Sequence, residues 1–261
     1  MKSIKHIVWS LLLMAVIASC GEDDNYPAPA EVFKGSIVDK ETGEPLQTDI
    51  GPFTGGSGVR IRMMEYSWSA TPQPYDMYTE MDGTFNNTKI FKGNYGVTVE
   101  GPFVAIPADT FDIAGTVEKN YEVEPFLRIE WVSEPVVNDD GTATVQVKIS
   151  RGTANPDYQQ ALTEVWLYVS ETQYVGAFSN ANQTFSTMLT GATLPALDAT
   201  VSITTGWPTG MPPMKPDAKQ KFFPTYARNY FLRVGARINK QMIGTNVFNY
   251  TTVKEITTKA R

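Results

Sequence analysis

Apolar and polar residues alternate at period two along nearly the whole chain after residue 30, while sustained 3.6-residue periodicity is absent, so the pattern predicts strands throughout. A first strand is predicted over 32–39, closed by a turn at 40–45 with Gly43 and Pro45 in turn positions. Val59, Ile61 and Met63 then alternate with Arg60 and Arg62, as in a sheet buried on one face. Asp82-Gly83 predicts a hairpin joining 78–81 to 84–90, and Tyr95, Val97 and Val99 share one face of the next strand. The pattern resets at Glu124-Pro125. Beyond it, strands are predicted over 127–132, 142–150, 164–170, 201–203, 230–238 and 248–257, the cleanest setting Tyr230, Leu232, Val234, Ala236 and Ile238 against Phe231, Arg233, Gly235 and Arg237. The chain is therefore expected to be all-β, with two tandem β-sandwich domains over 32–124 and 125–261.

The N-terminus has a different pattern. Lys2 and Lys5 precede an apolar run over 7–18 and then small residues, the layout of a secretory signal peptide over 1–19. The run falls short of the roughly 20 apolar residues that span a bilayer. Ile17-Ala18-Ser19-Cys20 resembles the lipobox of bacterial lipoproteins, which implies acylation of Cys20 and anchoring in a membrane. Residues 20–31 are acidic and then spaced by prolines, a composition that cannot bury a core and reads as a tether. Its acidic cluster resembles the export signal that sends Bacteroidetes lipoproteins to the outer face of the outer membrane.

The folded blocks carry a second resemblance. G-S-I-V-D-K-E-T-G-E-P-L (35–46), T-E-M-D-G-T-F (79–85) and G-N-Y-G-V-T-V (93–99) resemble, in order, the carboxypeptidase-regulatory-like, transthyretin-like sandwich. The chain departs from that pattern in an insertion at 47–58. The C-terminal block resembles fibronectin type III and immunoglobulin-like modules in architecture alone. Taken together these features resemble a family of two-domain Bacteroidetes lipoproteins of unknown function, DUF3823, often encoded near SusC-like and SusD-like proteins. That resemblance implies a glycan-related role by neighbourhood.

Composition narrows the chemistry. The chain holds 22 Lys+Arg against 28 Asp+Glu, net −6, and loss of residues 1–19 would remove two lysines and the single histidine, His6. An acidic chain does not suit nucleic acid. Without histidine or a free thiol, Ser-His-Asp and Cys-His catalysis and His-ligated metals are excluded from the mature chain, and no cofactor is expected. Carboxylate chemistry of the glycosidase kind remains open.

A sugar site combines a flat aromatic ring with amides and carboxylates. Residues 65–76 offer Tyr66, Trp68, Tyr75 and Asp76 on a predicted loop; the alternative is that these rings cap the sandwich end or pack on the second domain. Residues 206–224 offer Trp207 in a long loop with five prolines, where Trp207 and Phe222 could equally anchor the loop. Asn138-Asp139-Asp140-Gly141 reads as a turn, lacking the further carboxylate that calcium would require. Trp131 and Trp166 are expected in the core or between domains. The expectation is a non-enzymatic, outward-facing lipoprotein that binds glycan or assists a SusC/SusD-like import complex; the alternative is a structural spacer or adhesion module.

Overall fold

A computed structural model describes residues 27–50, 58–179, 185–206, 222–242 and 244–261. The first block contains β1 (Glu31–Asp39), β2 (Arg60–Glu65), β3 (Pro74–Tyr78), β4 (Thr84–Ile90), β5 (Gly93–Glu100), β6 (Asp109–Ile113) and β7 (Thr116–Val123). They form two sheets, ordered β4-β1-β7 and β3-β2-β5-β6. Inward alternate residues, among them Phe33, Ile37, Ile61, Met63, Val97 and Val99, fill the space between the sheets. β1 and β7 run parallel and approach closely at Gly35, where a Cβ would lie 1.7 Å from the Lys119 carbonyl oxygen. Only glycine fits there.

Two sequence expectations change here. Asp82-Gly83 does make a tight turn, with Gly83 at φ 78° and its N–H donating to the Glu80 carbonyl. The flanking strands are not a hairpin, however: β3 and β4 lie in different sheets, so the turn passes the chain across the sandwich. Moreover, the predicted loop over 65–76 ends early, because Pro74 opens β3 at a sheet edge, where a missing N–H costs no ladder bond.

The second block contains β8 (Leu127–Trp131), β9 (Val136–Val137), β10 (Ala143–Arg151), β11 (Leu162–Ser170), β12 (Thr187–Thr190), β13 (Thr200–Thr204), β14 (Asn229–Ile238), β15 (Gln241–Met242), β16 (Thr245–Asn246), β17 (Asn249–Tyr250) and β18 (Lys254–Thr257). The sheets are β13-β10-β8 and β12-β11-β14-β17, with β18 also on β14 and β15-β16 a small ribbon. The principal strands thus divide as in a fibronectin III or immunoglobulin-like sandwich. The alternation read on β14 is present: Tyr230, Leu232, Val234, Ala236 and Ile238 are all buried in the core with Val145, Val147, Val165 and Leu167.

The opposite face of β14 is buried too. Tyr168, Val175, Phe248 and Tyr250 form a third cluster over it, joined by Met81 from the first block. Here the two sandwiches meet, and Arg233, on the face whose alternation suggests solvent, is fully buried.

Candidate functional site

The end of the first sandwich farthest from this joint collects the N-terminal approach at 27–31, the β2–β3 loop and the β4–β5 turn. The loop is pinned where it leaves β2. Tyr66 N–H donates to the Asn94 carbonyl (2.8 Å), Ser67 N–H to Glu65 Oε1 (2.7 Å), and Asn94 N–H to Ser67 Oγ (2.7 Å). Gly93 permits this approach, since a Cβ there would lie 2.6 Å from Glu65 Oε1. The β4–β5 turn is held by the Tyr95 hydroxyl, which donates to the Phe91 carbonyl (2.9 Å); burial pushes that phenol up to about 12, so it stays a donor at neutral pH.

Between these pinned segments lies a pocket of about 420 Å³ lined by Ser67, Trp68, Phe91, Lys92, Glu31 and Pro27. Trp68 is 59% exposed and Phe91 44%. Large rings left this open on anchored backbone offer a flat apolar surface beside hydroxyl, ammonium and carboxylate groups. Phe91 and Lys92 escape sequence reading because they precede the pattern around Gly93 and lie far in sequence from Trp68.

The other predicted residues are dispersed. Tyr66 is exposed and packs over Gly96, where a Cβ would meet its ring at 2.7 Å. Tyr75 and Asp76 belong to β3, not to a loop, and as neighbours on a strand they point to opposite faces. The Tyr75 hydroxyl accepts from Asn87 Nδ2 (2.7 Å), tying the edges of the two sheets together. Asp76 is gripped by Arg62 through two 2.7 Å bonds, with Arg60 at 3.7 Å. Those hydrogen bonds hold its carboxyl below the usual range, against a smaller opposing effect of burial, and occupy the oxygens a sugar would need. Trp207 and Cys20 lie outside the described residues. The described residues that flank Trp207 are bonded within the second sandwich, Gly206 N–H to the Phe185 carbonyl and Phe223 N–H to the Gly141 carbonyl, whereas residues 65–76 belong to the first.

Asn138 to Gly141 is a hairpin turn: Val137 pairs with Ala143, Gly141 sits at φ 87°, and Thr142 donates to Asp140. Among the described residues no group of three or more His, Cys, Asp or Glu side chains is placed to hold a metal ion.

Sequence reading missed the polar centre of the joint. Asp49, in the insertion that departs from the transthyretin-like pattern, is 1% exposed. Its carboxylate accepts from Phe178 N–H (2.9 Å), Ser179 Oγ (2.6 Å), Tyr250 hydroxyl (3.2 Å) and Ile50 N–H (2.9 Å). Gly176 leaves room for it, since a Cβ there would lie 2.5 Å from Asp49 Oδ2. Beside it Arg233 donates to the carbonyls of Thr251 (2.9 Å), Val175 (3.3 Å) and Met81 (3.3 Å) and stacks over Tyr250 at 4.4 Å. Burial pulls this guanidinium down to about 10, still charged at neutral pH. Nearby, Arg128 from β8 grips Asp39 from β1 in a bidentate pair (2.6 and 2.9 Å), and Asn249 bridges Leu127 N–H and the Pro102 carbonyl.

Fold and joint together define an all-β protein of two sandwiches fastened by buried polar contacts. Residues 31–124 match the family described as the N-terminal domain of a protein of unknown function, DUF3823. Over that stretch the chain is similar to the DUF3823 family. A DUF3823 family protein from Bacteroides uniformis is 28% identical with TM-score 0.74, covering 89% of this chain and 100% of its own. Two more distant structures show the same fold. A Bacteroides uniformis protein described as a "putative carbohydrate binding protein" is 21% identical, TM-score 0.66, over 87% of this chain and 99% of its own. A Parabacteroides merdae DUF3823 protein is 19% identical, TM-score 0.61, over 88% and 100%. No curated protein matches the chain significantly.

Proposed function

We propose that the chain is a non-enzymatic glycan-binding lipoprotein, anchored through Cys20 on the outer face of an outer membrane and serving a SusC/SusD-like import complex, with Trp68 and Phe91 as its sugar-contacting rings. The observation that carries this reading is the pocket between those two exposed rings on a pinned backbone. The carbohydrate-binding description of one structural neighbour points the same way. Anchoring also fits the geometry: Cys20 and Pro27 are seven residues apart in sequence, so the pocket would lie within about 25 Å of the lipid. Calorimetry against a panel of host and plant polysaccharides tests it. Binding to at least one is expected, weakened tenfold or more by Trp68→Ala and by Phe91→Ala. No binding to any member, or unchanged binding in both variants, removes the assignment.

The buried joint favours a second reading, a rigid spacer that presents a protein-binding surface. Retrieval of a membrane-protein partner by a chain that binds no sugar would select it.

A further inference from the structure

We infer that the cleft between the two sandwiches is a second saccharide subsite, selective for neutral or amine-bearing sugars. It is separate from the Trp68 pocket but rests on the glycan-binding reading. The cleft has a volume of about 340 Å³ and takes its walls from both sandwiches: Thr42, Glu44 and Gln47 on one side, Glu130, Trp131 and Thr252 on the other. Domain boundaries are where small-molecule sites concentrate, because neither module alone can enclose a ligand.

Its chemistry selects the ligand class. Pro45, Pro125 and Ile129 are among its apolar lining, and Trp131 is held by its indole N–H, which donates to the Thr252 carbonyl at 3.1 Å. The one cation of the lining, Arg128, is consumed by Asp39 and Glu41. At the rim the carboxylates of Glu44 and Glu130 accept hydrogen bonds, while Gln47, one of whose amide hydrogens goes to the Pro45 carbonyl, and the hydroxyls of Thr42 and Thr252 can both donate and accept. A polyol donates through its hydroxyls to such groups, and an amino sugar adds a favourable charge. A uronate would meet the carboxylates of Glu44 and Glu130, against which only Lys148, opposite Glu130 on β10, sets a positive charge, and is disfavoured relative to a neutral or amine-bearing sugar.

The test is calorimetry of the full mature chain with matched neutral, amino-sugar and uronate oligosaccharides. It compares the native chain with Glu130→Gln, Gln47→Ala and Trp131→Phe, each alone and with Trp68→Ala. Residual binding in Trp68→Ala that prefers neutral or amino sugars, and that falls tenfold or more in Glu130→Gln or Gln47→Ala, is the expected result. Complete loss of binding in Trp68→Ala overturns the second subsite while leaving the first intact. Binding untouched by Trp68→Ala but lost in the cleft variants moves the glycan site to the joint and sinks the pocket reading. Preferential uronate binding that survives all three cleft variants overturns the inference. Thermal melting of Trp131→Phe and Glu130→Gln separates lost binding from lost fold.

Discussion

Two of the molecule's groups of aromatic rings differ in what surrounds them. At the far end of the first sandwich, Trp68 and Phe91 stand open on backbone fixed by short local hydrogen bonds. At the joint, Tyr168 and Tyr250 are buried, Trp166 stacks on Tyr168 with centroids 5.4 Å apart, and a charged guanidinium lies on the Tyr250 face. Burial pushes both tyrosine hydroxyls well up. Rings of one chemical type therefore do two kinds of work. Those at the joint convert desolvation into a fixed orientation, and those at the end leave apolar area in water, where the proposed glycan would cover it.

The largest effect expected from breaking this contrast is at Asp49. Asp49→Ala leaves Ser179, Tyr250 and the Phe178 amide without their acceptor and removes the negative charge nearest Arg233. A loss of about 3 kcal/mol or more follows, measured by urea unfolding. The native chain is expected to unfold in one transition and the variant in two, with small-angle scattering reporting a looser pair of domains. Arg233→Met is expected to cost less in the Asp49→Ala background than in the native chain, a coupling of at least about 0.5 kcal/mol. Strict additivity would show that the two residues act separately and would undo the picture of a single polar centre.

A smaller effect is expected at the rim of the joint. Burial raises the Asp39 carboxyl, but hydrogen bonds from Arg128 and from the Glu41 and Thr42 amides outweigh it, and the net direction is down from 3.8. A carboxylate whose folded value is depressed stabilises the fold above its unfolded value, and that contribution is lost as pH falls through the folded value. Stability measured between pH 6 and 2 should therefore drop below about pH 4 in the native chain. Arg128→Gln should lower the plateau by about 1–2 kcal/mol and flatten the drop. An equally steep acid limb in that variant would assign the drop to other carboxylates.

Much of this is legible in the sequence. The alternation on β14 identified its core face residue by residue, and the turns at Gly83 and Gly141 announce themselves through glycines that adopt positive φ. Illegible were the features that depend on distant partners. β7 reads as polar and charged because it is a sheet edge, and only its parallel pairing with β1 makes it a strand. Arg233 marks β14's second face as solvent until the other sandwich covers it. Asp49 looks like one polar residue in a glycine-rich insertion, and its four bonds reach mostly to residues about 130 to 200 positions away. Tyr75 and Asp76 carry sugar-binding chemistry by type, yet strand geometry sends them to opposite faces and two arginines occupy the carboxylate.

The smallest expected change in stability is the one that sharpens the comparison most. Trp68→Ala removes the largest ring of the exposed group, and because 59% of that residue already faces water, less buried area is lost than at a core ring. A shift within about 0.5 kcal/mol is expected in urea unfolding, the range of surface substitutions, where a buried ring such as Tyr230 would cost about 3–5 kcal/mol on truncation. The same variant should lose tenfold or more in glycan affinity. A ring that costs little to remove from the fold and a great deal to remove from a complex would be kept for the complex. Should Trp68→Ala instead destabilise the chain by more than about 2 kcal/mol, the ring is a structural cap on the sandwich end, and the division between an open working end and a closed joint collapses.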